Sequence, residues 1–211
     1  MTTNAILFDF DGTLADTLSI NHQIMNELSK KYKFKQLSQD EVKKLKELPA
    51  KEVLAYMGIA KYKVPFVMAA GKFALKKYID DISLPEQLNS LLEKWSKTYQ
   101  MGVVSTNSSK NIQRFLTNHQ LGYIGFVYAD ARLSGKARLI KRAIKKQDLH
   151  KAKTLYIGDE IRDINAAREA GIAVVAVCWG YNSKEALQAH QPDYLVESVD
   201  ELERVVAEFF S

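Results

Sequence analysis

Asp9 and Asp11 stand two residues apart at the end of a short apolar run, and Gly12 follows them directly. In a strand, residues i and i+2 project to the same face, so both carboxylates would belong to one site. Two carboxylates this close repel each other unless a cation lies between them or one of them stays protonated. The pair therefore predicts chemistry in which Mg²⁺ holds a phosphate against one carboxylate, while the other, with a raised pKa, acts as acid and then base. A surface strand end with two solvated aspartates is the alternative.

Two further segments carry groups suited to anions. Residues 105–109 follow a second apolar run and include several hydroxyl side chains, and Lys136 opens a later predicted helix. Hydroxyls and free backbone N–H groups at a helix N-terminus form an anion site, although N-capping by Asn107 or Ser108 also explains this sequence. A lysine at that end of a helix is unfavourable by roughly a few tenths of a kcal/mol unless an anion compensates it. A solvated lysine is the equally weighted alternative.

A fourth segment places carboxylates after an apolar strand that ends at Gly158. Mg²⁺ prefers octahedral oxygen ligands and usually binds one or two carboxylates, waters and a phosphate oxygen. The expected metal ligands are Asp9, the backbone carbonyl of Asp11, and Asp159. Asp163 lies one helical turn further, so we expect it to stand behind the ligands and to orient a water molecule or Lys136. Helix capping is the alternative use of Glu160, and in part of Asp163.

The chain between these segments alternates apolar runs with amphipathic ones. Strands are predicted at residues 101–105, 125–129, 154–157, 173–178 and 194–196, and helices at 108–119, 136–147, 160–170 and 200–210. Strands that alternate with helices of this length indicate βα units, and hence a Rossmann-like, doubly wound parallel sheet in the α/β class. In such sheets, ligands bind beyond the carboxyl ends of the strands.

Residues 17–84 show helical spacing and no persuasive strand, with Asp16 as the expected N-cap of the first helix. An insertion that leaves the end of the first strand would hang over the site. We therefore predict an α/β core from residues 1–15 and 86–211, and a small α-helical cap from residues 16–85. Asn21 and His22 in the cap either face the site or serve as surface and packing residues. Residues 179–182 would lie near the rim, where aromatic packing is the expected use.

Composition narrows the class of protein. The chain has 211 residues, of which 46% are hydrophobic and 26% charged, as in ordinary globular proteins. The run from Ile172 to Trp179 is far too short to span a bilayer, no secretory signal is visible, and the single Cys178 fits a reducing cytosol and core packing. We therefore expect a cytoplasmic protein without a membrane partner.

The net charge of +5 comes from one region, because residues 17–84 contain 13 Lys against 7 Asp and Glu. No zinc pattern or aromatic RNA-binding motif accompanies these lysines, so we expect no nucleic-acid partner. Solvated helix faces account for most of them, and a minority would steer anionic substrates toward the site.

The four segments, in this order, resemble the motifs of the haloacid dehalogenase superfamily. The first matches its Asp-x-Asp-Gly-Thr motif, and the others match a strand-end Thr or Ser, a Lys at a helix start, and Gly-Asp-x-x-x-Asp. The residues from Asp9 to Thr17, and those from Gly158 to Gly171, look most like the phosphoglycolate-phosphatase-like branch. The resemblance also implies an α-helical cap between the first and second motifs.

The resemblance implies a Mg²⁺-dependent phosphatase that acts on a small phosphorylated metabolite, either phosphoglycolate-like or a sugar phosphate. In that family the first Asp is the nucleophile and the second the general acid/base, which correspond to Asp9 and Asp11. The residues implied to hold the phosphate are Gly12, the Thr106 hydroxyl, the Asn107 backbone N–H and Lys136. Ser105 is the alternative hydroxyl. Because the Lys-Pro pair common in relatives is missing, Arg138 and Lys141 stay as weaker candidates for the lysine.

Other functions remain open at this stage. A phosphomutase of the beta-phosphoglucomutase type would use the same core and return the phosphate to a sugar. A non-catalytic, phosphate-binding regulatory protein would keep the fold without turnover. A dehalogenase is not expected, since its chemistry needs neither the second aspartate nor Mg²⁺. A helical cap on a small core is compatible with a monomer, which is our expectation.

Overall fold

A computed structural model describes residues 3–130 and 135–211, and within them six parallel strands form a single sheet. The strands are β1 (Ala5–Phe8), β2 (Gln100–Ser105), β3 (Phe126–Ala129), β4 (Thr154–Gly158), β5 (Ala173–Val177) and β6 (Tyr194–Val196). Their order across the sheet is β3-β2-β1-β4-β5-β6. The order reverses at β1, so the predicted doubly wound α/β fold is confirmed, and β1, β2 and β4 lie side by side at its centre.

The segments between the strands are mainly helical. The helices are α1 (Leu18–Tyr32), α2 (Gln39–Leu45), α3 (Ala50–Tyr56), α4 (Val64–Leu75), α5 (Leu88–Trp95), α6 (Ser109–Asn118), α7 (Lys136–Lys146), α8 (Ile161–Ala170), α9 (Lys184–Ala189) and α10 (Val199–Phe209). A short 3-10 turn, Lys151–Lys153, precedes β4. The strand β1 is buried along its whole length, as expected for a parallel sheet with both faces covered.

Alternate residues of β1 enter two different apolar clusters. Ile6 and Phe8 pack with the cluster that includes residues of α5, α6 and α10. Ala5 and Leu7 pack with the cluster built on α7 and α8. Because side chains alternate between the two faces of a strand, one short apolar run anchors both layers of helices, and this fixes the position of the residues that follow it.

Helix α5 is absent from the sequence-based prediction, which places no element between the cap and β2. Its buried residues are Leu88, Leu91, Leu92 and Trp95. These positions are spaced i, i+3, i+4 and i+7, the pattern of an amphipathic helix, so the signal was present in the sequence.

Helices α1 to α4 follow β1 and have a small apolar cluster of their own, which includes Leu45, Met57 and Val67. Ile24 of α1 and Leu75 of α4 pack instead with the cluster under the sheet. The predicted helical content of residues 16–85 agrees with this arrangement, while the exact division into cap and core stays a prediction.

The predicted N-cap of α1 is wrong by one residue. Thr17, not Asp16, occupies the N-cap position, and its side chain makes no capping bond. The Thr17 hydroxyl instead lies 3.0 Å from the Tyr181 hydroxyl. The side chain therefore makes a tertiary contact and does not cap the helix. Within the residues that the structure describes, no helix has both the length and the apolar character needed to cross a membrane.

Candidate active site

The carboxyl ends of the central strands bring the predicted side chains to one edge of the sheet. Asp9 follows β1, Thr106 follows β2 and Asp159 follows β4, while Lys136 is the first residue of α7. Because β1 pairs in parallel with both β2 and β4, all three strands end at the same edge.

Asp9 is fully buried, and its carboxylate is unusual because it accepts no hydrogen bond from the described residues. The Lys136 ammonium lies 2.7 Å from Asp9 Oδ2, but among the described residues no donor is aligned to hydrogen-bond either oxygen. The contact is thus an ion pair without hydrogen-bond geometry. Buried carboxylates normally accept hydrogen bonds. Oδ2 of Asp9 has the ion pair with Lys136 in their place, and Oδ1 accepts none from the described residues, so Oδ1 is the oxygen that a ligand can bind.

Lys136 is held between two carboxylates. Besides Asp9, it contacts Asp163 Oδ1, and all three side chains are buried. Burial opposes the charge of the ammonium, but the attraction of Asp163 and Asp9 outweighs it and raises the pKa of Lys136. Lys136 is therefore a fixed positive charge beside Asp9. The weaker candidate Lys141 instead forms an exposed pair with Glu169 at 2.9 Å.

Asp11 is only half-buried and faces a different set of partners. The Asn107 side-chain amide donates to Asp11 Oδ1 at 2.9 Å and to Oδ2 at 2.8 Å. Burial, together with the charge of Asp9, raises the pKa of Asp11 to about 6, while Asn107 and Arg162 act in the opposite direction. A carboxyl group with this pKa can serve as acid and as base near neutral pH.

The segment after β2 uses its polar groups differently from the sequence-based expectation. The Asn107 backbone N–H, expected to face a phosphate, donates to Ser105 Oγ at 3.1 Å. Ser105 is buried, whereas Thr106 is half-buried and its hydroxyl accepts from Arg162 Nη1 at 3.3 Å. Ser108 takes the N-cap position of α6 without a side-chain cap. Of the two candidate hydroxyls, Thr106 is thus the one on the open side of the segment.

Asp159 is buried and fixed through both carboxylate oxygens. Oδ1 accepts from the Thr13 hydroxyl at 2.6 Å, and Oδ2 accepts from the Tyr181 backbone N–H at 2.8 Å. Two glycines permit this close packing, because a Cβ at Gly12 or at Gly180 would overlap with the Asp159 carboxylate. Burial and the charges of neighbouring carboxylates raise the pKa of Asp159 well above its usual range. A nearby cation would reverse that shift.

Three carboxylates form a group suited to a metal ion. Asp9, Asp159 and Asp163 each offer one oxygen, and these oxygens lie within 4.8 Å of one another. Asp163 is already engaged, since Oδ2 accepts from the backbone N–H groups of Asp159 at 3.2 Å and Glu160 at 3.0 Å and Oδ1 contacts Lys136. Both oxygens of Asp159 are also engaged, so among the described residues Asp9 is the best placed ligand, and Asp159 stays the second ligand that the sequence predicts. Two buried carboxylates, one of them without a hydrogen bond, fit a hard divalent cation.

Arg162 is part of the site but was missed in the sequence analysis. Its Nε donates to Glu160 Oε1 at 2.9 Å, Nη1 reaches Thr106, and its charge acts on Asp11. Arg162 is the second residue of α8, and a cation in the first turn of a helix is unfavourable with the helix dipole. The same signal that singled out Lys136 therefore also applied to Arg162.

Residues 179–182 lie at the rim, as predicted. Trp179 packs against the apolar cluster under the sheet, as expected, whereas residues 180–182 connect the segment after β5 to α1 and α2. The Tyr181 hydroxyl accepts from Asn21 Nδ2 at 2.5 Å. Lys46 Nζ donates to the Gly180 carbonyl at 2.8 Å, and Asn182 Nδ2 donates to the Lys46 carbonyl at 2.8 Å. Asn21 and His22, whose orientation the sequence left open, both line a cavity between cap and core that reaches Asp11.

The chain is similar to known proteins over nearly its whole length. A family model described as haloacid dehalogenase-like hydrolase matches residues 6–177. The chain is 28% identical to a phosphoglycolate phosphatase from Synechococcus elongatus, with 97% of each sequence covered. It is 23% identical to pyrophosphatase PpaX from Oceanobacillus iheyensis, with 100% of each covered. The solved structure of a haloacid dehalogenase-like family hydrolase from Streptococcus pneumoniae superposes with a TM-score of 0.81 at 25% identity, and 99% of each chain is covered.

Proposed function

This chain belongs to the haloacid dehalogenase-like hydrolase family, and from that membership we propose that it is a Mg²⁺-dependent phosphatase acting through an aspartyl-phosphate on Asp9. One observation carries the proposal. The Asp9 carboxylate is buried beside a fixed ammonium, yet neither of its oxygens accepts a hydrogen bond from the described residues. A carboxylate oriented in this way, with an oxygen that accepts no hydrogen bond from the described residues, is suited to attack on phosphorus.

In the first step, an oxygen of Asp9 forms a bond to phosphorus while the bond from phosphorus to the ester oxygen breaks. Asp11 gives its proton to the departing oxygen, which leaves as an alcohol. Lys136 and the Thr106 hydroxyl offset the charge on the remaining phosphoryl oxygens, and positioning with electrostatic stabilisation supplies most of the rate. A Cβ at Gly12 would overlap with the Asp159 carboxylate, so Gly12 leaves room for this proposed metal ligand.

In the second step, the ionised Asp11 takes a proton from a water molecule as its oxygen bonds to phosphorus. The bond from phosphorus to Asp9 breaks, inorganic phosphate leaves, and both carboxyl groups return to their starting states. The raised pKa of Asp11, about 6, suits this exchange because both protonation states are accessible near neutral pH.

Asp9, the backbone carbonyl of Asp11 and Asp159 would hold Mg²⁺, which offsets negative charge on the phosphate and lets it approach Asp9. Asp163 serves behind these ligands by fixing Lys136 and the backbone at the start of α8. Asn107 contacts Asp11 through its side-chain amide. It therefore serves to orient Asp11, in place of the expected contact between its backbone N–H and the phosphate.

For the substrate, we propose a small phosphomonoester. The names of two relatives, phosphoglycolate phosphatase and pyrophosphatase, support the cleavage of phosphate from a small molecule. No feature of the described residues favours a phosphomutase over a hydrolase, so the assay below is designed to separate the two products.

The test is phosphate release from phosphoglycolate, pyrophosphate, sugar phosphates and para-nitrophenyl phosphate, with and without Mg²⁺. Wild type is compared with Asp9→Asn, and with Asp16→Asn as a control at an exposed aspartate. We expect Mg²⁺-dependent release that disappears only in Asp9→Asn, with the fold retained. Turnover that survives Asp9→Asn removes Asp9 as nucleophile. Isomerised sugar phosphate without free phosphate identifies a mutase. If no compound gives a product, the binding role is the function that remains.

A further inference from the structure

A cavity of about 260 Å³ separates the cap from the core and opens beside Asp11. Helices α1 and α4 each turn one face toward it, at positions 18, 21, 22 and 25 and at positions 68, 71, 72 and 75. These positions follow the i, i+3, i+4, i+7 spacing of one helix face. Any group that leaves with its oxygen next to Asp11 extends into this space, so the cavity walls decide which organic groups fit.

The chemistry of the walls changes with distance from Asp11. Thr106, Asn107 and Arg162 line the end of the cavity at the sheet, and the charge of Asp11 also acts on Lys72. The part enclosed by the cap is lined chiefly by apolar side chains, among them Met25, Leu45, Val53, Leu54, Met57 and Met68. One end therefore suits a phosphate and the other suits hydrocarbon.

Several polar side chains in the wall are already bound to other protein groups. Asn21 donates to the Tyr181 hydroxyl at 2.5 Å, and the His22 ring nitrogen Nε2 lies 2.7 Å from the Leu37 carbonyl. Lys46 donates to the Gly180 carbonyl, and Asn182 donates to backbone carbonyls of the cap. Sugar hydroxyls or a second carboxylate placed there would lose water while these groups stay committed elsewhere, which is unfavourable.

The size of the cavity supports the same conclusion. A dry apolar cavity of about 150 Å³ is enough to bind benzene, and this cavity is larger at about 260 Å³. The two-carbon acid of phosphoglycolate would leave most of it unfilled. Gly71 adds to the open space, because a Cβ at this position would meet only Leu28 Cδ1, at 3.9 Å. A glycine inside a helix weakens it, and here it keeps the wall of the cavity open.

We infer that the substrate is a phosphomonoester whose organic group is apolar, such as an alkyl chain or a carbocyclic ring, and that the cap cavity binds this group. The inference rests on the proposed phosphatase function and narrows its substrate class. We therefore expect the enzyme to prefer a substrate with an apolar leaving group over the phosphoglycolate-like and sugar phosphate substrates that the sequence analysis predicts.

The test uses ethyl, butyl and hexyl phosphate, whose leaving alcohols have similar acidity, so differences in rate report binding of the chain. Each buried methylene contributes about 0.8 kcal/mol, which predicts a rise in kcat/KM of roughly three- to fourfold per methylene until the cavity is filled. Butyl and hexyl phosphate should also exceed phosphoglycolate. Rates that are flat or fall with chain length, with phosphoglycolate preferred, overturn the inference while leaving the phosphatase intact.

A variant that fills the cavity tests whether the effect of chain length on kcat/KM comes from binding in this cavity. Gly71→Leu should remove the gain of hexyl over ethyl phosphate, whereas Ala69→Leu, on the exposed side of the same helix, should keep it. If Gly71→Leu does not fold, Val53→Phe fills the cavity from α3 instead. A hexyl-to-ethyl ratio that stays at the wild-type value in the folded variant shows that the chain binds elsewhere, and overturns the inference.

Binding without turnover separates this inference from the proposed function. Hexylphosphonate and ethylphosphonate cannot be hydrolysed, and calorimetry with Mg²⁺ present measures their affinity directly. We expect wild type to bind hexylphosphonate at least tenfold more tightly than ethylphosphonate, and the cavity-filling variant to lose this difference. This result supports the apolar site even if no phosphate ester is cleaved. Equal affinities overturn it, whatever the phosphatase assay gives.

Discussion

The side-chain amide of Asn107 donates to both carboxylate oxygens of Asp11, at 2.9 and 2.8 Å. This contact from a single amide nitrogen holds the carboxylate of the proposed acid/base in place, and it stabilises the ionised form. Burial and the charge of Asp9 act in the other direction and raise the pKa of Asp11 to about 6. The pKa of Asp11 therefore reflects two opposing effects, and Asn107 is the contact that lowers it most.

Asn107→Ala should move the alkaline limb of kcat/KM to higher pH. Asp11 must carry its proton when the ester oxygen leaves, so kcat/KM falls as pH rises through the pKa of Asp11. Without the amide donors the carboxylate loses stabilisation and its pKa rises further. The lost orientation should also reduce kcat by about 10- to 100-fold, since a hydrogen bond to a charged group contributes about 1.5–3 kcal/mol.

The pH profile of kcat/KM for wild type and Asn107→Ala measures this shift. Asn118→Ala, which removes a surface amide bound to Asp80, is the control and should leave the limb in place. An alkaline limb that moves to lower pH in Asn107→Ala would show that the amide stabilises the protonated form, contrary to the contact seen here.

Lys136→Met should destabilise the metal-free protein by about 3–5 kcal/mol, because it leaves buried carboxylates without their cation. Asp9 and Asp163 both lose their partner, and Asp159 lies close to them. Mg²⁺ should restore part of the loss by supplying positive charge. Chemical denaturation with and without Mg²⁺ measures both effects.

Lys141→Met is the matched control for this substitution. Its pair with Glu169 is exposed on both sides, and such pairs contribute about 0–1 kcal/mol. The prediction fails if the two variants unfold at the same denaturant concentration.

The parts of the site that the sequence predicts are those fixed by the path of the backbone. Asp9 and Asp159 directly follow buried strands, and parallel pairing brings the ends of these strands to one edge of the sheet. Lys136 is the first residue of a helix beside that edge. Periodicity and strand ends are enough to place such residues, because no side-chain conformation enters the argument.

The parts that the sequence did not predict depend on side-chain direction and on how the cap packs against the core. The Asn107 amide turns toward Asp11 while its backbone N–H bonds to Ser105. The Thr17 hydroxyl faces Tyr181, more than 160 residues away in the chain. Local propensity favoured Asp16 as a helix cap, but the tertiary contact decided where α1 begins. Periodicity carries no information on such contacts.

Cys178 should react slowly with thiol reagents in the folded protein. Burial raises the pKa of its thiol to about 11 from a usual value of 9.0, and only the thiolate is nucleophilic. At pH 8 the thiolate fraction is then about 100-fold smaller than for an exposed cysteine. Since the chain has 1 Cys, the rate of reaction with a disulfide reagent, native against urea-unfolded, reports this site alone. Equal rates in the two states would contradict the partial burial of the thiol.

Gly180→Ala should weaken Mg²⁺ binding although it leaves the identity of every proposed ligand unchanged. A Cβ at Gly180 would overlap with the Asp159 carboxylate, which the Tyr181 backbone N–H holds in place at 2.8 Å. The methyl group must push the carboxylate aside, and displacing a group that orients a ligand typically lowers metal affinity by about 10- to 100-fold. Calorimetric titration with Mg²⁺ measures the change.

Gly122→Ala, where a Cβ meets nothing within 4 Å, should bind Mg²⁺ as wild type does. Unchanged affinity in Gly180→Ala would mean that Asp159 can move without cost and is not a fixed ligand.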